Sequence, residues 1–303
     1  MCENKVQMKI YLILVLGVCF FLGGTAYFMQ DSAKSIAYQI LQKGFTAFPV
    51  MAAVLTRRIT KDKTKWRFSI KVWNNPKLWI FCAFIPSILI AAGAVLYFVI
   101  FPEQYSGFFD MGSLVGTADG IPIHNPFRFA IVCVLIAAIG IPIQLLELGE
   151  EIGWREYLLP RQIAEYGIRK GALLNGFCWG TAHLPLIFFG FNYSPENAGA
   201  PWSNMLMMIV VCMTLGILCA CVMVISNNVM YCAIIHGAVN ITGEIPVFIS
   251  VSQKSGLLGP NPTGLIGMSG LLVCAILIFI RLPKLEYCRQ VQCRYSNKKH
   301  GVL

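Results

Sequence analysis

Apolar stretches close to 20 residues long, the length at which a helix crosses a bilayer, recur along the chain between short polar segments. The pattern predicts eight membrane-spanning helices, at about residues 10–29, 35–56, 78–101, 126–149, 171–190, 203–225, 229–250 and 264–280. Lys43 interrupts the second of them. We therefore predict an all-α polytopic membrane helix bundle of about eight transmembrane helices, with residues 1–303 forming a single membrane domain.

The composition agrees with a multi-pass membrane protein. Of 303 residues, 57% are hydrophobic and only 13% are charged, which is too few to cover a globular surface of this size. Most of the 12 cysteines lie inside apolar runs, and no C-x-x-C pair occurs, so we expect reduced buried thiols and not a disulfide framework. The first apolar run lacks a small-residue cleavage site, which indicates a retained helix and not a signal peptide. No P-loop or G-x-G-x-x-G sequence predicts a nucleotide site.

The lysines and arginines are distributed unevenly between the two sides of this bundle. Eight lie between Arg57 and Lys77, and six more lie in a basic tail at residues 281–303. Because cytoplasmic flanks carry the excess of basic residues, we expect both termini in the cytosol. We also expect the protein to lie in the plasma membrane of a bacterium. The net charge of +10 predicts anionic lipid headgroups as a partner, and not nucleic acid, because the basic residues flank apolar spans.

The sequence Glu150-Glu151-Ile152-Gly153-Trp154-Arg155 places two carboxylates at the end of an apolar run. Such charges cost several kcal/mol of desolvation unless they are paired or used. On an α-helix Glu151 and Arg155 are four apart and can pair, whereas Glu150 points about 140° away from Arg155. Glu150 is therefore the candidate base, and Glu151 and Arg155 are candidate supporting residues. The alternative is that all three are solvated charges in the headgroup zone.

Two histidines also fall inside predicted spans. His183 follows Trp179 by one helical turn, and His236 precedes Asn240 by one turn on the same face. Either histidine alone is typical of a hydrogen bond between membrane helices. Together with Glu150, however, they supply groups for activating water and stabilising an oxyanion, and we expect them mostly in the cytosolic half of the bundle. Glu244, one turn beyond Asn240, is a further candidate.

The three motifs in this order, E-E-x-x-x-R, aromatic-x-x-x-His and His-x-x-x-Asn, resemble the CPBP (Abi) family. This family contains CAAX prenyl endopeptidases of type II and bacterial relatives tied to bacteriocin processing or immunity. The resemblance places the catalytic core of the family at about residues 126–250. Trp179 is a departure, because phenylalanine is commoner at that position in the family.

The resemblance implies an intramembrane endopeptidase that acts on a peptide or membrane-anchored protein. By that resemblance Glu150 activates a water, His183 orients the water or the substrate, and His236 and Asn240 donate hydrogen bonds to the oxyanion. Glu151 and Arg155 hold the end of the helix in place. A glutamate mechanism needs no cofactor. A zinc ion held by Glu150, His183 and His236 is the alternative, although H-E-x-x-H is absent from the sequence.

Two other classes of function remain open at this point. A proton-coupled transporter would use Glu150, His183 and Glu244 as a relay, but the outer halves of the spans contain few polar residues to continue such a path. A non-catalytic bacteriocin-immunity or partner-binding membrane protein would keep the fold without the chemistry. Its loops would then carry the function.

Overall fold

The computed structural model describes residues 2–29, 36–109, 121–123, 125–140, 145–252 and 256–300, and these are mostly helical. The α-helices are α1 (Cys2–Phe28), α2 (Ile36–Thr60), α3 (Pro76–Ile100), α4 (Pro126–Ile139), α5 (Leu148–Glu151), α6 (Leu159–Tyr166), α7 (Ile168–Phe188), α8 (Trp202–Ser226), α9 (Met230–Gly243), α10 (Ile245–Phe248) and α11 (Ser269–His300).

The connections contain several short ordered elements. Three are 3₁₀ turns, at Val72–Asn74, Pro102–Gln104 and Leu145–Glu147. A π-helical segment, Ile152–Leu158, joins α5 to α6. Strand β1 (Phe108–Phe109) pairs antiparallel with β2 (Ile121–Pro122) within the predicted loop between the third and fourth spans.

Three helices in the described part of the chain are long and apolar enough to cross a membrane: α1 from Glu3 onward, α3 and α8. They coincide with the first, third and sixth predicted spans. Large apolar side chains on α1 and α3 point outward, such as Phe21 at 71% exposure and Val99 at 70%. An apolar exterior of this kind is expected where helices face lipid. These helices confirm the prediction of a helical membrane protein. The count of eight spans and the cytosolic termini stay predictions.

Three predicted spans have different bounds in the structure. The fourth, predicted at 126–149, ends as helix α4 at Ile139, and Gly140 and Pro142, which disfavour a continuing helix, follow directly in the sequence. The seventh, predicted at 229–250, ends as α9 at Gly243, and Pro246 follows near the start of the separate helix α10. The eighth begins at Ser269 and continues to His300, so the predicted basic tail begins as helix.

Helices α7 and α8 pack closely at the centre of the bundle, and most of α8 is buried. The close approach depends on Gly176 and Gly180, which are four apart on α7. A Cβ at Gly176 would lie 2.5 Å from the Cα of Met213, and one at Gly180 would lie 2.8 Å from the Cα of Ile209. Small residues at this spacing let membrane helices come into backbone contact. This contact fixes α7, which carries Trp179 and His183.

The basic segment, residues 57–77, is held against the ends of several helices. Arg161 of α6 pairs with Asp62 and donates a hydrogen bond of 2.8 Å from Nε to Oε1 of Gln7 on α1. The backbone of Ser69 exchanges hydrogen bonds of 3.0 and 2.9 Å with the side-chain amide of Asn228, just before α9. The starts of α1, α6 and α9 and the end of α8 therefore lie at the same end of the bundle as the basic segment.

Candidate active site

The two adjacent glutamates lie on the short helix α5, and both are buried. Nε of Arg155 lies 3.2 Å from Oε2 of Glu151, and both side chains are fully buried, so the predicted pairing is confirmed. The α-helical geometry assumed from the sequence is wrong from Ile152 onward, where the chain is π-helical. This wider turn changes the direction of Arg155, and π-helical segments occur often at functional sites.

Glu150 is 5% exposed, and its Oε1 accepts a hydrogen bond from the indole Nε1 of Trp179 on α7. The guanidinium carbon of Arg155 lies 4.0 Å from the centre of the same indole ring. Trp179 therefore joins Glu150 to Arg155 in space, although the angles of a regular α-helix placed them on different sides. Its edge fixes one oxygen of the candidate base, and its face covers the arginine.

His236 on α9 is held by Glu151. Its Nδ1 lies 2.9 Å from Oε1 of Glu151, and its ring packs edge-to-face on Trp179 with 5.0 Å between the centres. Glu151 therefore supports two side chains, Arg155 through one oxygen and His236 through the other. A carboxylate on one imidazole nitrogen fixes the orientation of the ring and the role of the other nitrogen.

His183 takes its orientation from its own helix. Its Nδ1 lies 3.0 Å from the backbone oxygen of Trp179, one turn earlier on α7. Because a carbonyl oxygen only accepts hydrogen bonds, Nδ1 is the protonated nitrogen of the ring. In the neutral imidazole Nε2 is then an acceptor, suited to bind a proton of water.

A cavity of about 320 Å³ brings these groups together. The four predicted catalytic residues all line it: Glu150, His183, His236 and Asn240. Its polar lining is completed by Thr46, Glu147, Asn192, Glu244 and Thr263, among apolar residues from α2, α7 and α8. Exposure increases from the buried Glu150 to the exposed Asn240 and Glu244. The cavity thus has a buried end at Glu150 and an accessible side along α9.

Residues 125–242 match the family model described as type II CAAX prenyl endopeptidase Rce1-like. The matched region contains all three motifs, from Glu150 to Asn240, and supports the resemblance to this family. It is also similar to CAAX prenyl protease 2 of Methanococcus maripaludis, with 24% identity over 199 residues that cover 63% of this chain and 67% of the relative. Together with the apolar helices, these matches support an integral membrane endopeptidase of the CAAX-protease type that acts on a protein substrate. Because the relative comes from an archaeon, a bacterial host stays a prediction.

Glu147 lines the same cavity, and the sequence interpretation missed it. It precedes Glu150 by three residues, a spacing that would have placed the two side chains on one helical face. One ligand atom from each of Glu147, Glu150 and His236 lies within 4.8 Å of the others. Two carboxylates and an imidazole suit a divalent metal ion. The zinc set predicted from the sequence contained His183 in place of Glu147.

A second group with this spacing consists of Glu151, Cys219 and Cys232. Glu151 already binds Arg155 and His236 through its two oxygens, and Cys232 donates a hydrogen bond to the backbone oxygen of Cys219. These existing partners make the group at Glu147 the better fit for a metal ion among the described residues.

The cavity extends from the middle of α9 to the end of α9 that lies away from the basic segment. Trp179 and His183 are in the second half of α7, whose start lies beside Arg169 and Lys170. His236 is the seventh and Asn240 the eleventh of the 14 residues of α9, which starts next to the Asn228 contact with the basic segment. Our expectation that these residues lie mostly in the cytosolic half of the bundle stays a prediction.

Proposed function

We propose that this protein is an intramembrane endopeptidase in which Glu150 activates a water molecule to cleave a peptide or membrane-anchored protein. The match to the family model and one observation support this proposal: Glu150, His183, His236 and Asn240, from three separate parts of the chain, line the same cavity. These are the residue types of a general base, a water-orienting acceptor and oxyanion donors.

Glu150 is suited to the role of general base. Trp179 holds Oε1, so Oε2 is the oxygen that would take a proton from water. The resulting hydroxide attacks the scissile carbonyl carbon while the proton moves to the carboxylate. The same proton then passes from Glu150 to the leaving amine as the C–N bond breaks, and the carboxylate is regenerated.

His183 would position the attacking water. With its Nδ1 proton directed to the carbonyl oxygen of Trp179, its Nε2 can accept the second water proton without removing it. A water that donates its two protons to Glu150 and His183 keeps its oxygen lone pairs free for the attack on the substrate carbonyl. This arrangement lowers the entropic cost of the attack.

His236 and Asn240 would stabilise the oxyanion that forms during the attack. For His236 this requires a proton on Nε2 as well as on Nδ1. The carboxylate of Glu151 beside Nδ1 favours that doubly protonated, positively charged ring. The amide nitrogen of Asn240, one turn further along α9, supplies the second donor. Preorganised donors of this kind contribute most where charge develops in the transition state.

We further propose that the protein spans the membrane several times, with both termini in the cytosol, and that the basic segment contacts anionic lipid headgroups. Bulky apolar side chains lie among basic residues there and are exposed: Trp66 at 40%, Phe68 at 46%, Ile70 at 68% and Trp73 at 68%. Aromatic and basic residues in this combination are typical of the interface between membrane and water.

Cleavage by the purified protein in lipid vesicles tests the proposed mechanism. The substrates would be a panel of fluorogenic peptides, with and without a prenylated cysteine. Glu150→Gln is expected to lower the cleavage rate by about 10²–10⁴-fold, the usual contribution of a general base. Glu103→Gln, which removes an exposed carboxylate outside the cavity, serves as the matched control.

A normal rate in Glu150→Gln would remove Glu150 from the mechanism. Adding a metal chelator to the cleavage assay distinguishes a metal-free glutamate mechanism from a zinc-dependent one. The glutamate mechanism predicts that activity persists, whereas loss of activity and its recovery with zinc would favour a metal site at Glu147, Glu150 and His236.

A further inference from the structure

The cavity is lined by three carboxylates, from Glu147, Glu150 and Glu244. We propose that Glu147 and Glu244 form an acidic mouth that selects substrates with a positively charged residue close to the scissile bond. This inference rests on the proposed function and adds a substrate preference to it. Neither residue belongs to the E-E-x-x-x-R, Trp-x-x-x-His or His-x-x-x-Asn motifs.

Glu147 lies close to Glu150. Their carboxylate oxygens are within 4.8 Å of each other, and like charges at that separation repel. Oε2 of Glu147 is buried and has no hydrogen-bond partner in the part of the chain that the structure describes. A buried carboxylate oxygen without a donor is unfavourable, so a cationic group placed there would be stabilised by both glutamates.

Glu244 lies further out. It follows Gly243 at the end of α9, lines the same cavity and is exposed. Because Glu147 is partly buried and Glu150 almost fully buried, the three carboxylates mark a path from the surface to the candidate base. A negative potential along such a path attracts cationic groups and repels anionic ones.

No lysine or arginine is among the described residues that line the cavity. His236, doubly protonated in the proposed mechanism, offsets one of the three carboxylates, so the lining keeps a net negative charge. Arg155 pairs with Glu151, and its guanidinium is covered by the Trp179 ring. Arg155 therefore does not provide a binding group for a substrate carboxylate. The lining therefore favours substrates that carry Lys or Arg beside the scissile bond.

A set of matched peptides tests this preference. The peptides would be identical except for Lys, Gln or Glu next to the scissile bond, in longer chains with an amidated C-terminus. The wild-type protein is expected to cleave the Lys peptide with kcat/KM about tenfold above that of the Glu peptide, as for one charged hydrogen bond. Glu147→Gln and Glu244→Gln should each reduce this Lys/Glu ratio, whereas Glu103→Gln should leave it unchanged.

The ratio separates selectivity from a general loss of activity, because a folding defect lowers both rates together. Equal cleavage of all three peptides by the wild-type protein, or an unchanged ratio in Glu147→Gln and Glu244→Gln, would overturn the acidic mouth while leaving the endopeptidase proposal intact. A strict zinc requirement with no charge preference would likewise overturn it, because the carboxylates would then serve a metal ion. Absence of cleavage of every peptide by the wild-type protein would instead contradict the proposed function.

Discussion

Glu151 accepts a hydrogen bond from Nδ1 of His236, with 2.9 Å between oxygen and nitrogen, although the two residues are 85 positions apart. The other oxygen of the same carboxylate faces Nε of Arg155 at 3.2 Å. One buried carboxylate therefore connects α9 to the π-helical segment that carries Arg155. Losing it would leave a buried arginine without its partner.

We expect Glu151→Gln and Arg155→Met each to lower the free energy of unfolding by about 3–5 kcal/mol, because breaking a buried ion pair leaves an uncompensated charge. Thermal unfolding in detergent, with Glu103→Gln as the control, measures the effect. Normal stability combined with lost cleavage in Glu151→Gln would mean that Glu151, and not Glu150, is the catalytic carboxylate.

Trp179→Phe separates the two roles of this side chain. Phenylalanine keeps an aromatic ring beside Arg155 and His236 but removes the Nε1 donor to Glu150. A hydrogen bond to a charged group is worth about 1.5–3 kcal/mol, so kcat should fall by about 10–100-fold with little change in the unfolding temperature. An unchanged kcat would indicate that Glu150 keeps its orientation without the indole.

His236→Gln and Asn240→Ala test the proposed oxyanion donors. An interaction made only in the transition state lowers kcat and leaves substrate binding nearly unchanged. Removal of one such donor is expected to cost about 10²–10³-fold in kcat. Steady-state rates measure the loss of kcat. Substrate affinity is measured separately, with each substitution combined with Glu150→Gln so that the substrate is not cleaved. A rise in KM without loss of kcat would assign these residues to substrate binding.

Local sequence patterns predicted the features that depend on near neighbours. The apolar runs located α1, α3 and α8, and the spacing of four predicted the pair of Glu151 and Arg155. The spacing of three between Glu147 and Glu150 would likewise have predicted that these two side chains lie on one helical face. The hydrogen bonds from Trp179 to Glu150 and from His236 to Glu151 join residues 29 and 85 positions apart, so they depend on helix packing.

The π-helical turn at Ile152–Leu158 could not be predicted from the sequence for a related reason. Its residues have no composition that distinguishes them from an α-helix. The turn lies where α5 and α6 meet the buried partners of Arg155, and those contacts come from α7 and from Glu151. Tertiary contacts of this kind override the local preference.

The pair of Asp62 and Arg161 is expected to make stability depend on pH. Burial raises the pKa of Asp62, but hydrogen bonds to Thr64 and the positive charges of Arg161 and Arg57 outweigh it and hold the pKa below its usual value. A carboxyl with a lowered folded-state pKa contributes fully above its unfolded pKa of about 3.9 and loses that contribution as the pH falls further. The difference in unfolding temperature between wild type and Asp62→Asn should therefore be largest near neutral pH and narrow below about pH 4. A difference that stays constant with pH would contradict an ionic role for Asp62.

The position of the cavity predicts the side of the membrane from which substrate arrives. The exposed cavity residues Asn240 and Glu244 lie toward the end of α9, whose start contacts the basic segment at Asn228. Because basic loops mark the cytosolic side, the accessible side of the cavity should face away from the cytosol. Single cysteines at Ala198, in the loop after α7, and at Lys63, in the basic segment, can be introduced where the native cysteines have been replaced. Both positions are exposed. A membrane-impermeant thiol reagent should label Ala198→Cys on intact cells and Lys63→Cys only after permeabilisation. The reverse result would invert the orientation and place the accessible side of the cavity toward the cytosol. Labelling of both Ala198→Cys and Lys63→Cys on intact cells would mean that the membrane does not separate the two ends of the bundle.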